Sequence, residues 1–143
     1  MIRITICFCA MGVAAAFCFS LVRGEEAEKK KEERIFELRT YVAAPGKLDA
    51  LNARFRNHTN KLFQKHGMEL VGYWTPLDGE DAKNTLIYIL AYPNREAAKK
   101  SWASFSADPE WQKVRAETEK DGKMLASPPK SIYMKPTDYS PMK

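Results

Sequence analysis

The amino-acid sequence predicts an α+β domain of the ferredoxin-like type, in which two helical regions cover one face of an antiparallel four-stranded sheet. Three observations predict it. Four segments carry strand patterning, two amphipathic helical regions fall between them in the order β-α-β-β-α-β, and 143 residues suit a single domain with its own core.

Met1, Ile2 and Arg3 lead into an apolar run from Ile4 to Val22 that breaks at Arg23 and Gly24 before Glu25 and Glu26. Residues 1–24 therefore read as a secretory signal peptide, with cleavage after Gly24 and export to the periplasm or the extracellular space. The rival reading is an uncleaved N-terminal anchor through residues 4–22, because the run reaches the roughly 18 residues that span a bilayer; only then would the membrane be a partner. Lipidation at Cys18 is disfavoured by the bulky Phe17 before it. Cys7, Cys9 and Cys18 all lie in this segment, so the exported domain would have no thiol for a disulfide, a metal site or nucleophilic catalysis. Export would also remove Arg3 and Arg23, taking the balance from +5 to +3, and nucleic acid is not expected as a partner. Residues 25–33, EEAEKKKEE, hold no apolar side chain larger than Ala and read as a charged leader.

The ordered domain is expected over residues 34–138, with a polar surface tail at 139–143. In Arg34 to Val42, Phe36, Leu38 and Thr40 alternate with Glu37, Arg39 and Tyr41, as a half-buried strand requires. Leu48, Leu51, Phe55, Leu62 and Phe63 then recur at helical spacing over about five turns, ending at His66 and Gly67. Met68 to Thr75 reads as the second strand, stopped by Pro76. The third, Thr85 to Tyr92, is apolar on both alternating faces, so neither face should meet water. Pro93 and Asn94 lead into a helix from Arg95 to Phe105. Asp108 and Pro109 restart a second one, from Glu110 to about Lys120, by side-chain capping and a first-turn proline. Ser131 to Met134 is the last strand. This topology leaves one sheet face open, yet the third strand demands cover on both sides, so a face-to-face homodimer is expected.

The blocks FELRTYVAAPGKLDAL (36–51), RFRNHT (54–59), LFQKHGMELVGYWTP (62–76), LIYILAYPNREAAKKSWASFSADPEWQKV (86–114) and KPTDYSP (135–141) closely resemble the NIPSNAP family. The resemblance implies a dimeric α/β barrel. It brings no reaction with it: the family has no agreed catalytic mechanism, and its animal members are mitochondrial proteins linked to vesicle traffic and mitophagy signalling. The wider superfamily includes cofactor-independent monooxygenases and haem-degrading enzymes, which is likeness of fold.

His58 is the candidate catalytic residue. It stands three residues after Phe55 and four before Leu62, at the edge of the apolar stripe, where it could point between helix and sheet as a base or a haem ligand, or be a satisfied core histidine. His66, in the last helical turn, reads as a cap for free carbonyls. If Phe36 and Leu38 face the helices, Glu37, Arg39 and Tyr41 line the barrel interior, either as an anion or carbonyl clamp or as a structural ion pair. Tyr73, Trp74, Tyr88 and Trp102 could wall a hydrophobic ligand pocket, or simply pack. There is no Gly-rich phosphate loop, GxSxG elbow or HExxH, and no cofactor or metal is expected. The sequence thus reads as an exported homodimer binding a small hydrophobic or anionic ligand or a protein partner. The alternative is a monooxygenase-like enzyme in which His58 and a tyrosine polarise an aromatic substrate beside Trp74 and Trp102.

Overall fold

The computed structural model describes residues 34–143; the expected signal or anchor and the charged leader lie outside the described residues. Strand β1 is Ile35–Val42. A helical run follows, made of α1 (Leu48–Arg54), a π-turn (Phe55–Thr59) and α2 (Asn60–Lys65). Next come β2 (Glu69–Trp74), a 3₁₀ turn (Glu80–Lys83), β3 (Thr85–Tyr92), α3 (Arg95–Ala107), α4 (Pro109–Thr118) and β4 (Lys130–Met134). The strands form one sheet in the order β2-β3-β1-β4 with every neighbour antiparallel, which is the ferredoxin-like arrangement that β-α-β-β-α-β implies.

Local chemistry sets the helix boundaries. The Asn94 side chain accepts from Ala97 N at 2.7 Å and starts α3. The Asp108 carboxylate accepts from Glu110 N at 2.8 Å and starts α4, with Pro109 in its first turn, where a missing N–H costs nothing. Gly67 ends α2 at φ +76°, a backbone state that side-chain-bearing residues seldom adopt. α3 extends to Ala107 rather than Phe105, and α4 stops at Thr118, short of Lys120.

The core fills the space between helices and sheet. Leu51, Phe55, Leu62 and Phe63 from the first helical run meet Leu86, Tyr88, Leu90 and Tyr92 of β3, with Phe105 of α3 closing the cluster. Phe63 packs edge-on against Trp102 and Phe105 at centroid distances of 5.4 and 4.9 Å.

The two faces of β1 are the reverse of the sequence expectation. Glu37, Arg39 and Tyr41 point toward the helices, and Phe36, Leu38 and Thr40 occupy the other face. Tyr41 packs on Phe55 and Tyr88, and Glu37 bonds to Trp102 of α3. Alternation was read correctly, but it cannot say which face carries the helices. Polar β1 side chains are tolerated on the helix side because aromatic N–H and O–H groups there supply donors.

The face away from the helices is apolar and, beyond the end that the tail covers, has nothing packed on it among the described residues. Leu38 lies between Ile89 of β3 and Ile132 of β4, and Thr40 pairs with Ile87. Ile132 is 57% exposed and Trp74 51%. Trp74 lies over Gly72, where an added Cβ would come within 2.5 Å of the indole, so the glycine makes room for the ring. At one end of this face the tail folds back: Met142 and Pro136 approach Phe36 and Ile89, and Arg34 donates to the Lys143 carbonyl.

Candidate functional site

Glu37 is fully buried, and its two carboxylate oxygens accept from four side chains. Oε1 takes Arg39 Nη1 at 2.9 Å and Ser131 Oγ at 2.6 Å; Oε2 takes Tyr92 Oη at 2.8 Å and Trp102 Nε1 at 2.7 Å. Strands β1, β3 and β4 and helix α3 therefore converge on one carboxylate. Burial works against its ionisation, but the bonds from Ser131, Trp102, Arg39 and Tyr92 outweigh it and hold the pKa below the usual value. The Arg39 guanidinium stands 4.2 Å above the Trp102 ring and donates to Tyr41 Oη at 3.4 Å. Four donors fill the lone-pair directions of Glu37, which ties sheet to helix, while Arg39 Nε is buried with no acceptor among the described residues.

The other aromatic candidates divide between the two faces. Tyr88 and Tyr73 stack at 5.4 Å on the helix side, beside Arg39 in the row Arg39–Tyr88–Tyr73 across three strands. Trp74 is on the opposite, open face, so it cannot share a pocket with Trp102. His58 is exposed on the π-turn rather than set between helix and sheet, and Thr59 is buried in its place. The His66 ring, read from the sequence as a cap for carbonyls, meets a carboxylate: its Nε2 lies 2.6 Å from Asp108 Oδ2, which also receives Lys65 Nζ at 2.8 Å. Lys65, then His66, hold the Asp108 carboxyl well below the ordinary carboxylate range.

Sequence reasoning missed Arg54, a buried cation that lines a cleft. It is 4% exposed, and its neighbours enclose a cleft of about 220 Å³ between the first helical run, α3, α4 and the segment before β4. Phe55, Phe63, Phe105, Trp111 and Leu125 supply apolar wall, while Tyr41, Thr59 and the Arg54–Glu119 pair supply polar groups. Arg54 Nη1 donates to Glu119 Oε1 at 3.0 Å, and its guanidinium sits 5.3 Å from the Trp111 ring centre. The signal was present in the RFRNHT block, but an arginine beside a helical apolar stripe ordinarily reads as solvated. Among the described residues no group of three or more His, Cys, Asp or Glu side chains could hold a metal ion, and no helix is long and apolar enough to cross a membrane.

These groups fix how stability should vary with pH. Glu37, Asp108 and Glu119 all have lowered pKa values in the folded state; at Glu119 burial is outweighed by bonds from Arg54 and Arg115. Their contribution is present above the unfolded carboxylate pKa, about 4, and is lost as pH falls through the lower folded values. Tyr73, Tyr88 and Tyr92 are pushed up, chiefly by burial, so their contribution is present below about pH 10 and is lost as pH rises beyond it. Urea midpoints should be flat between about pH 5 and 9 and fall on both sides. A midpoint that rises below about pH 4 would contradict the carboxylate assignment.

No curated protein matches the chain. Among solved structures it is similar to an uncharacterized NIPSNAP-like domain protein from Burkholderia xenovorans, 21% identical with TM-score 0.66 over 77% of this chain and 90% of that one. It is also similar to a NIPSNAP family protein from Agrobacterium tumefaciens, 24% identical with TM-score 0.66 over 78% and 96%. A monooxygenase from Streptomyces coelicolor in complex with nanaomycin D shares the fold at 17% identity and TM-score 0.53, over 76% and 92%. The NIPSNAP family model matches residues 36–141, nearly all of the described domain, and the chain belongs to the NIPSNAP family.

Proposed function

We propose that this protein is an exported NIPSNAP-domain homodimer that binds a small hydrophobic, anionic molecule in the cleft beside Arg54. The observation that carries this is an aromatic-walled cavity with a buried cation at its edge. Ligand sites join mostly apolar walls to a few polar groups in this way. At about 220 Å³ the cleft is smaller than the roughly 300–1,000 Å³ of drug-sized sites, so it suits a molecule of one or two rings. The uncovered apolar sheet face supports the dimer, and the charged break after the apolar N-terminal run supports export.

Native mass spectrometry of the protein from its own host should show a dimer beginning at Glu25 with a retained small mass. Titration with small aromatic acids, followed by the fluorescence of Trp111, should saturate at one molecule per chain. An empty protein with no saturable response would remove the ligand reading and leave a scaffold for a protein partner.

The alternative is a cofactor-independent monooxygenase-like enzyme. Its support is the fold shared with the Streptomyces coelicolor protein and the buried Tyr73 hydroxyl, which has no partner among the described residues. Exposed His58 is poorly placed as its base. Oxygen uptake with quinols, abolished in Tyr73→Phe, would favour it.

A further inference from the structure

We propose that the cleft takes an aromatic carboxylate on Arg54, with Glu119 as an exchangeable counter-ion that the ligand displaces. This rests on the reading of the cleft as a ligand site and adds which ligand class it takes and what competes with it.

Arg54 is incompletely satisfied for so deeply buried a cation. Its one hydrogen bond to a carboxylate runs from Nη1 to Glu119, while its Nε–H is buried with no acceptor among the described residues. A guanidinium binds a carboxylate best through two parallel N–H donors, and Glu119 takes only one from Arg54, the Nη1 bond at 3.0 Å. The cleft supplies what the rest of an aryl carboxylate needs, in the rings of Phe55, Phe63, Phe105 and Trp111.

Glu119 is built to give way. It follows the last turn of α4, its side chain is 21% exposed, and its other oxygen, Oε2, accepts from Arg115 Nε at 3.3 Å. Arg115 is 64% exposed, so Glu119 can stay paired with it in water when a ligand claims Arg54. Two carboxylates around one guanidinium repel each other, so Glu119 lowers affinity for an anion and leaves a neutral molecule of the same shape untouched.

The test compares naphthoate with naphthamide, its uncharged counterpart, on the wild-type protein, Glu119→Gln and Arg54→Lys by calorimetry, with thermal melts confirming that each variant is folded. Wild type should prefer naphthoate. Glu119→Gln should tighten naphthoate about tenfold and leave naphthamide within about twofold. Arg54→Lys should lose most of the preference; if it does not fold, Glu119→Gln alone decides. Equal binding of both probes to wild type, or weaker naphthoate binding in Glu119→Gln, overturns the exchange while keeping the cleft as a ligand site. Binding of neither probe overturns both.

Discussion

Replacing Glu37 by alanine should destabilise the domain by about 3–5 kcal/mol, the usual cost of removing one partner of a buried ion pair. Arg39, whose side chain is 14% exposed, would keep its charge without a carboxylate, and Trp102 Nε1–H would lose its acceptor. Glu37→Gln should cost less, about 2–3 kcal/mol. A glutamine can offer its oxygen to Arg39 and Ser131, but its amide then faces Tyr92 and Trp102. The Tyr92 hydroxyl can turn to accept; the indole N–H cannot. Urea denaturation followed by tryptophan fluorescence checks both values. If the two variants unfold within about 1 kcal/mol of wild type, Glu37 is not the tie between sheet and helix that its four bonds describe.

The second large effect is expected at the open sheet face. Leu38→Asp puts a carboxylate at the centre of a row with Ile89 and Ile132. In a lone chain this side chain is only partly buried, so the fold should tolerate it. In a face-to-face dimer it would be buried without a partner, at a cost of several kcal/mol. At 1.4 kcal/mol per factor of ten, dimer affinity should fall by at least about 100-fold. Light scattering after size-exclusion chromatography should report a dimer for wild type and a monomer for the variant. A wild-type monomer at micromolar concentration would sink the dimer, and an unchanged dimer for Leu38→Asp would move the interface elsewhere.

The fold was legible because its signals are local. Alternation in β1, the doubly apolar β3, and the Asn94 and Asp108–Pro109 caps each specify an element without help from the rest of the chain. The site was not legible, for two physical reasons. Glu37 and Arg39 were singled out, but a period of two leaves the choice of face open, and that choice is made by donors far along the chain: Tyr92, Trp102 and Ser131. Arg54 was passed over because its partner, Glu119, lies 65 residues away. His58 was placed at the edge of the stripe by an α-helical count, and the π-turn shifted that count.

That π-turn acts as a spacer in the chain's angular register. A wider turn holds one residue more than an α-turn, so everything after Thr59 is rotated relative to everything before Phe55. Arg54, on the near side, and Phe63, on the far side, thereby come to line the same cleft. Deleting one residue between Arg56 and His58 would regularise the hydrogen bonding of the helix and swing either the cation or the ring out of that wall. The irregular helix is thus the device that lets one continuous segment bring both charge and aromatic surface to a single cleft.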